Sequence, residues 1–199
     1  MFVSLGAQPF CLPLPVLLVG SYDAAGSPNL ATAVYGGICS LQPPCFAVSL
    51  SRSSWTRKAI EERHAFSISL PTRDMAAKVD FAGMVSGRQE DKFAVLGLTA
   101  EAGQHVDAPY VKECPVVLEL TLSSSQDLGS HIMFIGEIMD LKVRRDCLRE
   151  SGVPDPAKLD TLGYAPLAGE YLNLGSFVAR AHAVGKTVGR IWPGGTVPR

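Results

Sequence analysis

The sequence predicts a mainly β fold, a closed β-barrel carrying short helical insertions within a single domain. Three observations lead there. Short apolar runs recur along the chain, separated by turns of Gly, Pro, Asp and Ser. Helical periodicity is confined to short segments, and the first two strand-like runs are joined by a turn rather than a helix, which argues against a doubly wound sheet. There is no G-x-G-x-x-G or G-x-x-x-x-G-K-[ST] stretch, so neither a Rossmann dinucleotide site nor a P-loop is present.

Taken in order, residues 14–22 (LPVLLVGSY) read as a buried strand. Residues 23–28 supply turn residues, and 29–34 return as a second strand, completing a hairpin. Tyr35 to Ser40 read as a small-residue loop, followed by the Pro43-Pro44 pair. Residues 45–50 form the next strand, apolar enough to be covered on both faces. Ser51-Arg52-Ser53-Ser54 then opens a short amphipathic helix at 55–63, with Trp55, Ala59 and Ile60 set between charges. Residues 65–70 are a strand ended by Pro71, 74–81 a short helix, and 89–96 a charged-apolar turn or helix holding Lys92 and Phe93. In the second half, 116–122 and 131–143 are strands separated by the turn Asp127-Leu128-Gly129-Ser130. Residues 146–160 are a polar excursion, and Tyr164 and Tyr171 follow in a segment of loose strand character. One domain is assigned to residues 1–184. The Gly-, Pro- and charge-rich stretch 185–199 reads as a flexible tail.

Composition narrows the function classes. The chain has 199 residues, 47% hydrophobic and 19% charged, with a net charge of -1. That suits one compact core, and the absence of a long basic run argues against a nucleic-acid partner. No apolar stretch reaches the length of a membrane span, and the N-terminus lacks the basic region of a signal peptide, so the expected location is the cytoplasm. The five cysteines, Cys11, Cys39, Cys45, Cys114 and Cys147, form no C-x-x-C pair. They read as free thiols packed as small hydrophobes rather than a metal site or disulfide framework. Cys39 stands apart, in the loop expected to face a ligand.

The stretch 29–58 is the centre of the functional reading. A hydroxyl-rich helix start leaves its first backbone N–H groups pointing outward, and Arg52, Arg57 and Lys58 stand beside it. This suits an anion, most naturally a phosphate, although an ordinary capped helix with solvated charges has the same signature. The small residues Ala31, Ala33, Gly36 and Gly37 either let the backbone approach a flat ring or simply pack strand on strand. Asn29 and Thr32 offer polar groups, and Tyr35 an aromatic face. Lys92 becomes a phosphate partner if its turn folds over the pocket. His131, opening a strand after Gly129-Ser130, is placed to meet a ligand; His64, His105 and His182 read as structural.

These pieces together resemble the flavin reductase-like FMN-binding split barrels, most nearly the flavoredoxin branch. The resemblance runs from Ser4-Leu5-Gly6 through Gly175. It rests on 13–22, 29–35, 37–44, 47–56, the Ser86-Gly87 to Lys92-Phe93 segment, and GSHIMFIGE at 129–137. It implies an FMN-binding split β-barrel that forms a homodimer and holds FMN non-covalently near the subunit interface. Asn29, Thr32, Ala33 and Tyr35 would surround the ring and ribityl chain. Leu50, Ser51, Arg52, Ser54, Thr56 and Lys92 would lie at the phosphate and its approach, and His131 and Tyr164 beside the isoalloxazine. Three positions depart from the family's habit: Tyr35 replaces tryptophan, Tyr164 phenylalanine, and Ser130 the acidic residue that often precedes the histidine in reductase members.

The activity implied is that of an FMN-binding oxidoreductase of the flavoredoxin/flavin reductase type. It would pass electrons from NAD(P)H to flavin or ferric iron, or act as an electron carrier for a protein partner without its own NAD(P)H turnover. No protein group is assigned as a catalytic acid or base, and no metal is expected.

Overall fold

The computed structural model describes residues 1–181 and 183–184. The tail assigned to 185–199, and His182, lie outside the described residues. The barrel is a seven-stranded antiparallel sheet, built from β2 (Leu17–Tyr22), β3 (Pro28–Ala33), β4 (Gly36–Leu41), β5 (Pro44–Ser51), β6 (Ala65–Leu70), β9 (Val116–Asp127) and β10 (His131–Val143). Their order is β3-β2-β6-β9-β10-β5-β4. The two outer strands are consecutive in sequence, so the chain itself bridges the two ends of the sheet. Leu17 pairs with Ala33 at the end of β3, and Gly36 pairs with Val48 at the start of β4. Between them the Ser49 N–H donates to the Tyr35 carbonyl at 2.8 Å. One run of chain therefore leaves β2 at residue 33 and joins β5 by residue 36.

Smaller elements surround the barrel. A three-stranded sheet joins β1 (Leu14–Pro15), β11 (Leu162–Ala165) and β12 (Glu170–Asn173), and β7 (Ala100–Ala102) pairs with β8 (Pro109–Val111). The helices are α1 (Trp55–Arg63), α2 (Ala76–Met84), α3 (Lys92–Leu96) and α4 (Pro156–Leu159). Among the described residues no helix is long and apolar enough to cross a membrane.

The core has two compartments, and β2 contributes to both. Leu17 and Val19 enter the barrel with Phe46, Val48, Phe66, Ile68, Leu120 and Phe134. Val16 and Leu18 face a second cluster formed with Leu30, Val79 of α2, Phe93 of α3 and Leu162 of β11. A strand covered on both faces reads as a continuous apolar run, which is why 14–22 shows no alternation. Close backbone approach fixes two glycines. A Cβ on Gly20 would lie 2.2 Å from the Pro109 carbonyl oxygen, and one on Gly136 2.7 Å from the Phe66 ring.

Several boundaries differ from the sequence expectation. The loop expected at Tyr35 to Ser40 is strand β4, because its backbone is needed to pair with β5 and close the barrel. The strand expected at 116–122 continues to Asp127, because the ladder to β10 runs on beyond Leu120, where burial ends. The helix expected at 74–81 begins as a 3-10 turn at Arg73–Met75 and becomes α2. Strands β7 and β8, unexpected from sequence, are short and owe their position to β6: Ser67 donates to the Pro109 carbonyl at 2.6 Å, and Ser69 accepts from the Val111 N–H. Ala47 and Ser49 of β5 are half-buried rather than covered. Cys45, Cys114 and Cys147 are buried as small hydrophobes, whereas Cys11 and Cys39 are exposed. Among the described residues no group of three or more His, Cys, Asp or Glu is arranged to hold a metal.

One buried charge ties β9 to its neighbours. Glu119 is 0% exposed; its carboxylate meets Lys142 Nζ at 2.5 Å and accepts from the Gln104 and His105 N–H groups at 3.1 and 2.6 Å. Burial alone would raise this carboxyl, but the Lys142 ammonium and the two N–H donors hold it below the ordinary carboxylate range. Lys142→Met strips Glu119 of its counter-charge and is expected to cost about 3 kcal/mol in denaturant unfolding. Because the native carboxyl is depressed, its contribution is complete above the unfolded value near about pH 4 and is lost as pH falls through the native one. Glu119→Gln should therefore show a shallower acid limb than wild type.

Candidate functional site

The cleft opens where the chain passes from β3 to β4. It has a volume of about 340 Å³ and is lined by residues 31–35, 49–51, 53–56, 82–87, Lys92 and His131. That is within the size range of small-molecule pockets. One wall is the small-residue run Ala31-Thr32-Ala33 of β3. The floor is the end of β5 with the start of α1, and the opposite wall is the C-terminal end of α2 with the turn that follows it.

The start of α1 is unusually open. Ser54 takes the N-cap place with φ -61° and ψ 129°, yet its side chain makes no capping bond. Among the described residues the N–H groups of Trp55, Thr56 and Arg57 have no acceptor. A helix start in this condition presents donors and the positive end of the helix dipole to whatever occupies the cleft. Beneath it, Asn29 Nδ2 donates to Thr56 Oγ1 at 2.7 Å, so the threonine hydroxyl keeps its own proton to donate. Gly87 is required here, since a Cβ would fall 2.1 Å from Asn29 Oδ1.

Lys92 is the buried cation of the site. It is 5% exposed, and its Nζ donates to the Ala82 carbonyl at 2.6 Å, leaving two of its three donors unused. With no carboxylate beside it, burial pushes its ammonium down to about 8. Asp91 fixes the backbone that carries it by capping α3 through the Ala94 N–H at 3.1 Å. A side chain that composition alone would leave in solvent is thus folded beneath the end of α2.

At the other end stand Tyr35 and His131. Their rings meet edge to face with centroids 5.5 Å apart, and His131 Nδ1 lies 2.9 Å from the Ser130 hydroxyl. Register places His131 opposite Ser51 across the β5–β10 ladder, so two ends of the cleft wall are joined by one pair. With Ser130 Oγ bonded to Nδ1, the Nε2 atom is left for a ligand.

Of the residues expected at a site, the structure brings Thr32, Ala33, Tyr35, Leu50, Ser51, Ser54, Thr56, Lys92 and His131 to this cleft. Thr32 is occupied on one side, donating to the Val79 carbonyl at 2.6 Å and seating α2 on β3. Asn29 lies beneath the lining and acts through Thr56. Arg52 points away: its guanidinium pairs with Asp127 and donates to the Gly129 carbonyl, clamping the α1 approach to the turn before His131. Tyr164 lies against Tyr171 beside the second core compartment, outside the cleft of its own chain. Gly36 packs with Leu17 and Phe46, Gly37 faces open space, and Cys39 is on the exposed edge strand, so none of the three lines the cleft. The α2 wall, Ala82 to Val85, carries no polar group in its side chains to announce it; Gly83, against Thr32, is its one sequence trace.

Comparison with known proteins places the geometry. Residues 10–167 match the flavin reductase like domain family. The solved structure of flavoredoxin from Desulfovibrio vulgaris (Miyazaki F) is 48% identical, covers 93% of this chain and 100% of its own, and superposes with a TM-score of 0.89. Flavoredoxin from Methanosarcina acetivorans is 27% identical over 94% of this chain and 99% of its own, with a TM-score of 0.88. A ferric-chelate reductase (NAD(P)H) of Archaeoglobus fulgidus is 28% identical over 107 residues, 53% of this chain and 62% of its own.

Lys92→Met is expected to raise the stability of the ligand-free protein by about 1 kcal/mol, because it replaces a desolvated ammonium with an apolar chain of similar length. The sign with pH follows. Between about 8 and the ordinary lysine value near 10.4 the unfolded chain holds more protons, so wild-type stability rises with pH across that window. Thermal melts of the ligand-free proteins from pH 7.5 to 10 check this, with the variant expected to lack the rise.

Proposed function

The chain belongs to the flavin reductase-like family, and from that premise we propose that it is an FMN-binding oxidoreductase of the flavoredoxin/flavin reductase type. One observation carries the reading. The open N–H groups at the start of α1 and the buried Lys92 belong to one cleft, whose adjoining wall is the small-residue run Ala31-Thr32-Ala33. That combination suits a flat ring bearing a phosphate ester. FMN, when bound, supplies the hydride and single-electron chemistry. The protein's part is to hold and orient it. Trp55, Thr56 and Arg57 N–H groups with Lys92 would take the phosphate, Thr56 and Ser54 hydroxyls the ribityl approach, and Ala31 to Ala33 the ring. His131, its Nδ1 held by Ser130, would donate from Nε2 at the ring edge, where Tyr35 stands 39% exposed.

The electron source separates two forms of this function. An enzyme would accept hydride from NAD(P)H and deliver electrons to free flavin or ferric iron. A carrier would exchange electrons with another protein, and the 48% identity to a flavoredoxin favours that form. A cytoplasmic homodimer is part of the proposal. Tyr164 is out of reach of its own chain's cleft, and apolar Ile38 and Leu41 on β4 and Met139 and Leu141 on β10 are exposed. Light scattering should give a mass near twice the 21.2 kDa of the chain.

The deciding experiment is anaerobic addition of NADH, then NADPH, to FMN-loaded protein, followed by the visible flavin absorption. Rapid bleaching identifies an enzyme reduced directly by nicotinamide. Reduction by dithionite alone identifies a carrier. Protein that purifies colourless and takes up no FMN overturns the flavin reading altogether. Lys92→Met should weaken FMN binding at least about tenfold, the scale of one charge-assisted hydrogen bond, while leaving the fold intact.

A further inference from the structure

Three arginines flank the helix-start end of the cleft, and their partners differ. Arg52 is paired with Asp127 and donates to the Gly129 carbonyl. Arg57 is paired with Glu61 at 2.6 Å and donates to the Arg52 carbonyl at 3.0 Å. The Arg88 side chain has neither a carboxylate nor a hydrogen-bond acceptor among the described residues. Its guanidinium lies over the indole of Trp55, 4.8 Å from the ring centroid.

That position bridges the two walls. Trp55 is the first residue of α1 and lines the cleft; Ser86 and Gly87, immediately before Arg88, line it from the opposite side. The turn carrying Arg88 is well defined, with the Arg88 N–H donating to Ser86 Oγ at 3.3 Å and the Gln89 N–H to the Ser86 carbonyl at 3.0 Å. The Lys58 ammonium approaches the same indole at 5.5 Å, but it is also paired with Glu62 at 3.4 Å. Arg88 is thus the unneutralised fork beside the open N–H groups of Trp55 and Thr56. An exposed guanidinium stacked on a half-buried indole is weakly held, whereas a bidentate contact with a phosphate dianion is roughly twice as strong as a neutral hydrogen bond.

We propose that Arg88 is the phosphate-recognising arginine of the cleft, held on the Trp55 indole in the free protein and turning from it to clamp the ligand's phosphomonoester against the start of α1. This rests on the flavin reading above and adds to it a residue that separates phosphorylated from unphosphorylated flavin. Arg52, which sequence alone nominates for this role, instead positions the loop. The turn that carries Arg88 is already held at the cleft wall by its bonds to Ser86.

The test is the ratio of riboflavin to FMN dissociation constants, measured by flavin fluorescence for wild type, Arg88→Gln, Arg88→Lys and Arg52→Gln. Wild type should bind FMN the more tightly. Arg88→Gln should lower the ratio at least about tenfold by weakening FMN alone, with Arg88→Lys restoring part of it, because lysine keeps the charge but not the fork. Arg52→Gln should weaken both flavins together and leave the ratio near that of wild type. A wild-type preference for FMN that survives in Arg88→Gln overturns the assignment of Arg88 while leaving the flavin reading intact. Equal loss of both flavins in Arg88→Gln also overturns it, reducing the residue to a packing partner of Trp55. No preference in wild type overturns the phosphate site itself.

Discussion

The barrel depends on one transfer of backbone pairing. At residues 33–36 the chain gives up β2 and takes β5, and the Tyr35 carbonyl accepts from the Ser49 N–H at the moment of crossing. The transfer brings the two ends of the seven-stranded sheet together at one point, although β3 and β4 are not paired with each other along their length. It also leaves a local gap in the ladder, since residues in transit pair fully with neither neighbour. The cleft opens at that gap. Ala31 to Ala33, still paired with β2, form its wall, and Val34 and Tyr35, which lie between the two ladders, form its end. Gly36 belongs to the closure itself: Leu17 and the Ala47 carbonyl come within 3 Å of where its Cβ would stand, so the strand could not cross here with any larger residue.

Electrostatics in the cleft follow from what each cation has for company. Lys142 is half-buried beside Glu119 and Asp140 and is raised, while Lys92 is buried beside a carbonyl alone and is lowered to about 8. The first arrangement holds the fold together. The second stores an unfavourable desolvation that an anionic ligand would relieve, the usual trade of stability for function at a binding site. Arg52 illustrates the same logic from the other side: with Asp127 against it, its charge is spent on joining the α1 loop to the turn before His131 and is not free for a ligand.

Much of this was legible in the chain. The first hairpin, the helix at 55–63, the strand at 65–70 and the strand at 131–143 are where apolar pattern and turn residues put them. Each is a local decision, made by neighbours in sequence. Strands β7 and β8 escaped because three-residue strands carry no periodicity and are held by Ser67 and Ser69, far away in the chain. The 35–40 segment reads as a loop because its small residues lack strand propensity, and only barrel closure makes them one.

The site divides along the same line. Residue type and order carry the mainly β class and the hydroxyl-rich start of α1, whereas the grouping of Thr32, Thr56, Lys92 and His131 is what the resemblance to the flavin reductase-like family implies. Tertiary structure alone decided that Lys92 is buried, that Arg52 faces Asp127, that Arg88 rests on Trp55 and that Tyr164 lies elsewhere. A side chain's charge is written in the sequence. Whether that charge is neutralised depends on residues brought beside it from tens of positions away, and only the folded chain brings them.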